Sequence, residues 1–215
     1  MTLGLDICKM KEVIEAANAN WPGAMSFEEY KALSVRFADE GKTSGLDQSA
    51  SMVEYSRLNA HRLKRIDKTV ALNTSTVEEL SAIKETQTWI VFSETWCGDA
   101  AQNMPILAKM AAVNPLIDFK VLLRDEHPDL MKHFLTNGGK SIPKLAAFNE
   151  KNELLFTWGP RPEAAQEMVM DYKHSPEPKK PYTEFVVEVQ KWYAKDKGQS
   201  IQQEFISLIN EGVKA

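Results

Sequence analysis

The stretch Thr95-Trp96-Cys97-Gly98-Asp99-Ala100-Ala101-Gln102-Asn103-Met104-Pro105 decides the fold, because two different patterns meet in it. Before it, residues 88–93 (Thr-Trp-Ile-Val-Phe-Ser) carry no charge and are mostly β-branched or aromatic, which is typical of a buried central strand. After it, apolar residues recur at helical spacing, at Met104, Leu107, Ala108 and Ala111. The sequence therefore predicts that Cys97 lies where a strand ends and a helix begins.

The predicted junction acts on the Cys97 thiol in two opposite ways. The first N–H groups of a helix have no intrahelical partner, and the helix dipole is positive at that end, so both favour a thiolate. Asp99 lies within one turn of the sulfur, and its negative charge opposes thiolate formation. The sequence does not decide which influence is larger.

A second stretch, Ser141-Ile142-Pro143-Lys144-Leu145, comes before an apolar run that ends at Phe148. Trp-Cys-Gly at 96–98, with Pro105 eight residues after the cysteine, resembles the active-site helix of thioredoxins, and the Ile-Pro segment resembles their cis-proline segment. The resemblance covers residues 75–174. More narrowly, the motifs at 96–100, 122–125 (Leu-Leu-Arg-Asp) and 135–143 (Leu-Thr-Asn-Gly-Gly-Lys-Ser-Ile-Pro) resemble a poorly characterised group of bacterial thioredoxin-like proteins.

The resemblance implies an α/β, thioredoxin-like three-layer fold, with a central mixed sheet of about four strands between helices. The patterns predict a parallel unit with a right-handed crossover, followed by an antiparallel hairpin. The predicted strands are 88–93, 117–123, 142–148 and 153–158. Added helices are expected at both ends, so we expect an N-terminal helical extension over 1–74, a thioredoxin-like domain over 75–174, and a C-terminal linker with helices over 175–215 that pack on the same body.

Helical periodicity and capping signals predict the remaining elements. Ser26 and Glu29 form the pattern of a capping box. A helix with Pro128 in its first turn is expected to begin at Asp125 or His127, to continue through Leu135 and to stop at residues 137–139 (Asn-Gly-Gly). Ala164, Met168 and Tyr172 are expected to face inward from a later helix. The predicted helices are 5–19, 26–39, 47–68, a short one capped by Thr74 or Ser75, the segment after Pro128, 163–173, 183–195 and 199–210.

The resemblance also implies the residues of a site. A cis peptide bond before Pro143 leaves the backbone of Ile142 open to pair with an extended substrate. Cys97 is the implied nucleophile. The residues expected to contact substrate are Trp96, Gly98, Ile142, Pro143 and Arg124.

The chain departs from thioredoxins at Ala100, where they carry a second, resolving cysteine. A dithiol enzyme uses its second sulfur to release the mixed disulfide, so this chain lacks the part that completes the cycle. If Cys97 is active, the mechanism is monothiol, and an external thiol such as glutathione or another low-molecular-weight thiol resolves the mixed disulfide.

Two charged residues have open roles. Asp99 is either a proton carrier for the leaving thiol or a carboxylate that stabilises the first helical turn through the dipole. Arg124 either pairs with Asp99 or with an anionic substrate, or it forms a local surface pair with the acids that follow it, Asp125 and Glu126.

Composition narrows the class of protein and its partners. The 215 residues are 43% apolar and 26% charged with a net charge of −4, so neither nucleic acid nor an anionic membrane is an expected partner. No run approaches the ~18 apolar residues of a membrane span, and charges interrupt the first 20 residues, so we expect a cytoplasmic protein.

The number of cysteines excludes a disulfide scaffold, and the spacing of the histidines argues against a zinc site. The only cysteines are Cys8 and Cys97, which excludes a disulfide scaffold; Cys8 fits an apolar helix position, and a bridge between the two stays open. The four histidines lack the spacing of zinc ligands, and we expect no metal. They are His61, His127, His133 and His174.

The predicted helix over 47–68 carries a basic set, Arg57, His61, Arg62, Lys64 and Arg65. This set either lines the Cys97 cleft and receives an anionic thiol, or it forms a solvated helix face. Arg57 and His61, four residues apart, are the pair best placed to act together.

Two functions fit these patterns. The first is a monothiol thiol-disulfide oxidoreductase that acts through Cys97 on protein or small-molecule thiols and disulfides. The second is a non-catalytic binding module that uses the groove between Trp96 and Pro143. A homodimer through the added helices is left open.

Overall fold

Four strands form one mixed sheet in the computed structural model, which describes residues 23–212. The strand order is β2-β1-β3-β4; β1 pairs with β2 in parallel and with β3 antiparallel, and β3 pairs antiparallel with β4. The predicted helix over 5–19, which includes Cys8, lies outside the described residues. The strands are β1 (Gln87–Ser93), β2 (Ile117–Leu123), β3 (Lys144–Asn149) and β4 (Leu154–Trp158).

Side chains alternate along β1, so those of Trp89 and Phe92 pack on opposite faces of the sheet. Trp89 packs on the ring of Phe205 on one face, with ring centroids 5.3 Å apart. Phe92 packs against Phe134 on the other, with centroids 5.6 Å apart. The predicted three-layer α/β fold with added helices is confirmed. The helices are α1 (Phe27–Glu40), α2 (Ala50–Thr69), α3 (Thr74–Ala82), α4 (Gly98–Ala111), α5 (Pro128–Met131), α6 (Glu163–His174), α7 (Tyr182–Asp196) and α8 (Gln199–Gly212).

The helices before the sheet are tied to its main core. The Ser26–Glu29 capping box is present and starts α1 as predicted. Tyr30 of α1 is 1% exposed, and its hydroxyl lies 2.8 Å from the Ser93 hydroxyl at the end of β1. Met25 exchanges two backbone hydrogen bonds with Val121 at the outer edge of β2. The N-terminal helices therefore share the core of the sheet.

The last helix belongs to the same core. Phe205 of α8 is fully buried and contacts the rings of Trp89, Phe156 and Trp158. The Trp158 indole N–H donates to Glu204 at 2.7 Å. The proposed division at residues 74 and 174 stays a prediction, since helices on both sides of these positions bury side chains in one cluster.

Several local details differ from the sequence-based expectations. The helix after Pro128 ends at Met131 instead of Leu135, because Thr136 and Gly139 exchange two backbone hydrogen bonds in a tight turn. In α6, Met168 and Tyr172 face inward as predicted and pack against the buried residues of α7, but Ala164 is exposed and Ala165 is buried instead.

The start of α3 also differs, since Asn73 is its N-cap instead of Thr74 or Ser75. Asn73 is held from α8: its backbone N–H donates to Gln202 at 2.7 Å and its side chain to Gln199 at 2.9 Å. A long-range contact therefore sets this helix start. Within residues 23–212, no helix combines the length and the hydrophobicity of a membrane span.

Candidate active site around Cys97

Cys97 lies at the junction of β1 and α4, as predicted, and is the N-cap of α4. Its Sγ accepts a hydrogen bond from the Ala100 N–H at 3.4 Å and donates to the Ile142 carbonyl at 3.3 Å. The peptide bond between Ile142 and Pro143 is cis. The structure thus brings Cys97, Ile142 and Pro143 of the predicted site together.

The Cys97 thiol is held in its protonated form. The side chain is only 8% exposed, and burial raises its pKa to about 12; the Asp99 charge acts in the same direction. The N–H groups of Ala100 and Asp99 lower the pKa, but by less. At pH 7 the thiolate fraction is therefore on the order of one in 100,000. Burial is the largest cause, and the sequence pattern gave no sign of it.

Asp99 forms a mostly buried ion pair that the sequence did not reveal. Its Oδ2 accepts from the Nε of Arg161 at 3.0 Å and also from Nη2, and its Oδ1 accepts from the Tyr193 hydroxyl at 2.8 Å. The Asp99 and Arg161 side chains are 15% and 16% exposed. Both carboxylate oxygens are thus occupied, which favours a structural and electrostatic role. Proton transfer by Asp99 stays a prediction.

Arg161 reaches Asp99 from the loop between β4 and α6. Gly159 in this loop has φ +110°, and a Cβ there would overlap the carbonyl oxygen of Pro143. Only glycine allows this approach, which brings the loop against the Ile142-Pro143 segment. The Gly-Pro-Arg-Pro sequence signals a break in the chain but not a partner for Asp99, so Arg161 could not be found by pattern.

Arg124 forms the local pair that was one of its predicted alternatives. Its Nε donates to Asp125 at 2.8 Å, and its Nη1 donates to the Lys140 carbonyl at 3.2 Å. Its guanidinium carbon lies 5.0 Å from the centre of the Trp96 ring, a cation–π distance. Arg124 therefore covers Trp96 and does not pair with Asp99.

A loop of residues 43–48, here named the cover loop, closes the N-terminal side of the site. The Ser44 hydroxyl accepts from the Thr95 N–H at 2.8 Å, and the Ser44 N–H donates to the Thr95 hydroxyl at 3.0 Å. Gly45 lies close to the Trp96 indole nitrogen, and Leu46 is 98% exposed. The cover loop is thus fixed to the backbone two residues before Cys97.

Helix α7 closes the opposite side. The Tyr193 hydroxyl donates to Asp99 and accepts from the Asn103 side chain at 3.1 Å. Gln102 donates to the Oε1 of Gln190 at 2.6 Å. Parts of the chain that lie before and after the sheet therefore both contact the first turns of α4.

Two tyrosines mark the rim of the site. Tyr182, at the start of α7, is 63% exposed, and Tyr55 of α2 is 37% exposed. Burial raises the pKa of Tyr182; the Asp99 charge acts in the same direction and the Arg161 charge in the opposite one. One added helix before the sheet and one after it thus each carry a tyrosine that is partly exposed.

The basic set on α2 does not converge on the site. Arg57 donates to the Ala38 carbonyl at 3.2 Å and lies 3.8 Å from Glu54. His61, Lys64 and Arg65 are exposed, in agreement with a solvated helix face. The exception is Arg62, whose Nη1 lies 3.8 Å from the position that a Cβ on Gly98 would take.

A cavity of about 390 Å³ lies behind α4, and Cys97 is not among the residues that line it. Its wall contains Gln102, Asn103 and Tyr193, which belong to the contacts that hold α7. No cluster of His, Cys, Asp and Glu side chains within residues 23–212 is arranged to hold a metal ion.

Comparisons of the structure agree on the fold. A protein of unknown function from Pseudomonas aeruginosa superposes with a TM-score of 0.53 at 17% identity, over 82% of this chain and 96% of its own. An HIV epitope-scaffold protein superposes with a TM-score of 0.51 at 16% identity, over 82% of this chain and 97% of its own. At these identities the likeness concerns the fold alone.

The sequence comparisons identify the family. No curated protein matches the chain at a significant level. The family model described as thioredoxin matches residues 45–173, which is more than half of the chain and includes Cys97, Pro143 and Arg161. The chain therefore belongs to the thioredoxin family.

Proposed function

We propose that this protein is a monothiol thiol-disulfide oxidoreductase that acts through Cys97. The observation that carries the proposal is the position of Sγ, which lies between the Ala100 N–H of α4 and the Ile142 carbonyl. A sulfur at this point can be stabilised as a thiolate by the start of the helix once water reaches it. The Ile142 backbone lies beside it and is available to a substrate strand when the site is open.

The reaction has two exchange steps. The Cys97 thiolate attacks one sulfur of a disulfide RSSR′, which forms Cys97–S–S–R and releases R′S⁻. An external thiolate then attacks the R sulfur, which yields a new mixed disulfide and regenerates the Cys97 thiolate. The sum is a transfer of RS from one thiol to another, and the external thiol is the reductant. Glutathione or another low-molecular-weight thiol serves as this reductant.

The raised pKa of Cys97 requires that the site opens before exchange. In the closed structure burial holds the thiol proton, and only 8% of the Cys97 surface is exposed to a disulfide or a second thiol. The contacts that hold the neighbouring segments include Ser44 to Thr95 on one side, and Tyr193 to Asp99 and Gln190 to Gln102 on the other. We infer that disulfide substrates react with an open form of low population.

Glutathione-dependent reduction of bis(2-hydroxyethyl) disulfide tests the proposal. We expect turnover by the wild-type protein, none by the Cys97→Ser variant, and undiminished turnover by Cys8→Ser. Loss of turnover in Cys8→Ser would replace the monothiol mechanism with one that uses both cysteines. Absence of turnover in the wild type, at pH values up to 10, would exclude the oxidoreductase.

A search for the substrate can use the same chemistry. A monothiol holds its substrate covalently until an external thiol arrives, so mixed disulfides with Cys97 accumulate when low-molecular-weight thiols are removed. Trapping partners from a lysate and releasing them with reductant identifies the disulfides that reach the site. Cys97→Ser, which cannot form the bond, is the matched control.

The second candidate, a non-catalytic binding module, is favoured by one observation. Burial raises the pKa of Cys97 to about 12, as expected for a thiol that does not turn over. This candidate also requires an opening of the site, because Pro143 is buried and Arg124 lies over the Trp96 ring, so the groove between Trp96 and Pro143 is closed in this structure. Peptide binding by the Cys97→Ser variant without any wild-type turnover would favour this candidate.

A further inference from the structure

A single cation of the α2 basic set, Arg62, is fixed beside the start of α4. Its Nη1 donates to the Oδ1 of Asn59 at 2.9 Å, and the Nδ2 of Asn59 donates to the Trp96 carbonyl at 2.8 Å. Asn59 is 2% exposed, so it links the guanidinium to the backbone through a buried amide. Arg62 is therefore held one residue away from the nucleophile.

Gly98 allows a second donor to reach the same place. A Cβ on Gly98 would lie 3.4 Å from the Nε2 of Gln190 and 3.8 Å from the Nη1 of Arg62. The Oε1 of Gln190 accepts from Gln102 at 2.6 Å, which turns the amide nitrogen toward Gly98. Two side chains with N–H donors, from α2 and α7, thus converge on one glycine.

The charge of Arg62 is not neutralised by the protein. Arg57, Arg124 and Arg161 each lie against a carboxylate, whereas no Asp or Glu within residues 23–212 forms an ion pair with Arg62. Burial lowers the pKa of the Arg62 guanidinium, and the Arg65 charge lowers it further. A half-buried cation without a counter-ion, next to an amide donor, fits a carboxylate, which guanidinium groups bind with two parallel hydrogen bonds.

We propose that Arg62 and Gln190 bind a carboxylate of the external thiol that resolves the mixed disulfide on Cys97. The inference rests on the proposed function and names its co-substrate class: an anionic low-molecular-weight thiol, of which glutathione is one. Arg62 recognises and positions this thiol and takes no part in the bond changes. Neutral thiols of the same size lack the carboxylate and bind without this contact.

Binding of S-methylglutathione to the full chain tests the inference without any exchange, because this probe has no free thiol. We expect wild-type protein to bind it, and Arg62→Gln to weaken binding by about fivefold to tenfold, the value of one charge-assisted pair. Lys64→Gln removes an exposed cation of the same helix and should bind like wild type. The diethyl ester of the probe, whose carboxylates are neutralised, should bind all three proteins equally weakly.

Other outcomes of this experiment overturn the inference. They are no binding of S-methylglutathione by wild type, equal binding by Arg62→Gln, or equal affinity for the ester. Arg62→Lys keeps the charge but not the paired geometry, so binding between the wild-type and Arg62→Gln values separates recognition from a folding defect. Thermal unfolding of each variant also shows whether the substitution causes a folding defect.

Kinetics separate a failure of this inference from a failure of the proposed function. If exchange occurs, Arg62→Gln should raise KM for glutathione and leave KM for 2-mercaptoethanol and both kcat values unchanged. Turnover with both thiols but no selective effect of Arg62→Gln on KM for glutathione would contradict the role given to Arg62. The proposed oxidoreductase activity would still hold. Binding of S-methylglutathione that depends on Arg62, without any turnover, would support the carboxylate site and contradict the proposed exchange reaction.

Discussion

The sheet with its crossover helix and the helices added around it contribute different properties to the site. The crossover places Sγ of Cys97 3.3 Å from the Ile142 carbonyl and at the start of α4, which is the geometry on which the proposed exchange rests. The added segments supply Ser44, Asn59 and Tyr193, which hydrogen-bond to the residues that flank Cys97: Thr95, Trp96 and Asp99. Position and availability of the thiol are thus set by different parts of the chain.

Two opposite influences act on the pKa of the Cys97 thiol, one from the start of α4 and one from burial. A cysteine at a helix start should have a lowered pKa when it faces water. Here burial dominates and raises the pKa to about 12. Substitutions in the added segments should therefore change the reactivity of the Cys97 thiol more than they change the position of its sulfur. The following predictions test this division.

The largest effect is expected where an added helix enters the main core. Phe205→Ala removes a fully buried ring that contacts Trp89 and Trp158, and should lower the free energy of unfolding by about 3–5 kcal/mol. Val187→Ala, at a side chain 51% exposed, should change it by less than about 0.5 kcal/mol. Urea denaturation should show one transition. A separate early transition would make α8 an independent unit and break the comparison.

The Asp99 ion pair should give the next largest effect. Asp99→Asn leaves the Arg161 cation without its partner in a site about one-sixth exposed, and should lower the free energy of unfolding by about 3 kcal/mol. The same change removes a negative charge beside Cys97, so the pKa of the thiol should fall. Urea denaturation and alkylation profiles check the two effects. An unchanged or higher pKa would contradict the role given to Asp99.

The pH dependence of stability is expected to be smaller and specific to Cys97. The thiol pKa is about 12 in the folded protein against an ordinary value of 9.0, so only the folded state keeps the proton between these values. The contribution is full below pH 9 and is lost above it, by about 1.4 kcal/mol per pH unit. The wild type should lose more stability than Cys97→Ala between pH 8 and 10. Parallel curves would show that the thiol is not buried.

The smallest change concerns the cover loop. Ser44→Ala leaves the buried Thr95 N–H without its acceptor and should lower the free energy of unfolding by about 1 kcal/mol. Because the loop opens more readily, alkylation of Cys97 should become severalfold faster at constant pH. Ser51→Ala, at an exposed position on α2, is the control. Lower stability without faster alkylation would show that the cover loop does not control access to Cys97.

Local patterns predicted most of the fold. Apolar and β-branched residues between turn signals predicted the strands, and β2 has the predicted bounds, Ile117–Leu123. The junction at Cys97 and its proximity to Ile142 followed from the two motifs of the thioredoxin resemblance. These features depend on neighbours in sequence or on an ordering that the family shares, so a single sequence contains them.

The partners that control the thiol could not be predicted. Arg161 and Tyr193 contact Asp99 from 62 and 94 residues away, and no local pattern links them to it. Arg124 was considered as a partner because it lies at the end of a strand, yet Asp125 is next to it and forms the pair. Burial of Cys97 depends on how the added helices pack, which periodicity alone does not determine.

The pH dependence of Cys97 alkylation by iodoacetamide tests the central claim, that the closed site keeps the thiol protonated. The Cys8→Ser variant isolates the signal of Cys97. The account predicts a rate at pH 7 far below that of free cysteine, which rises about tenfold per pH unit through pH 10 without a plateau. A plateau with a midpoint at or below about 8.5 would show an accessible thiolate and contradict the account.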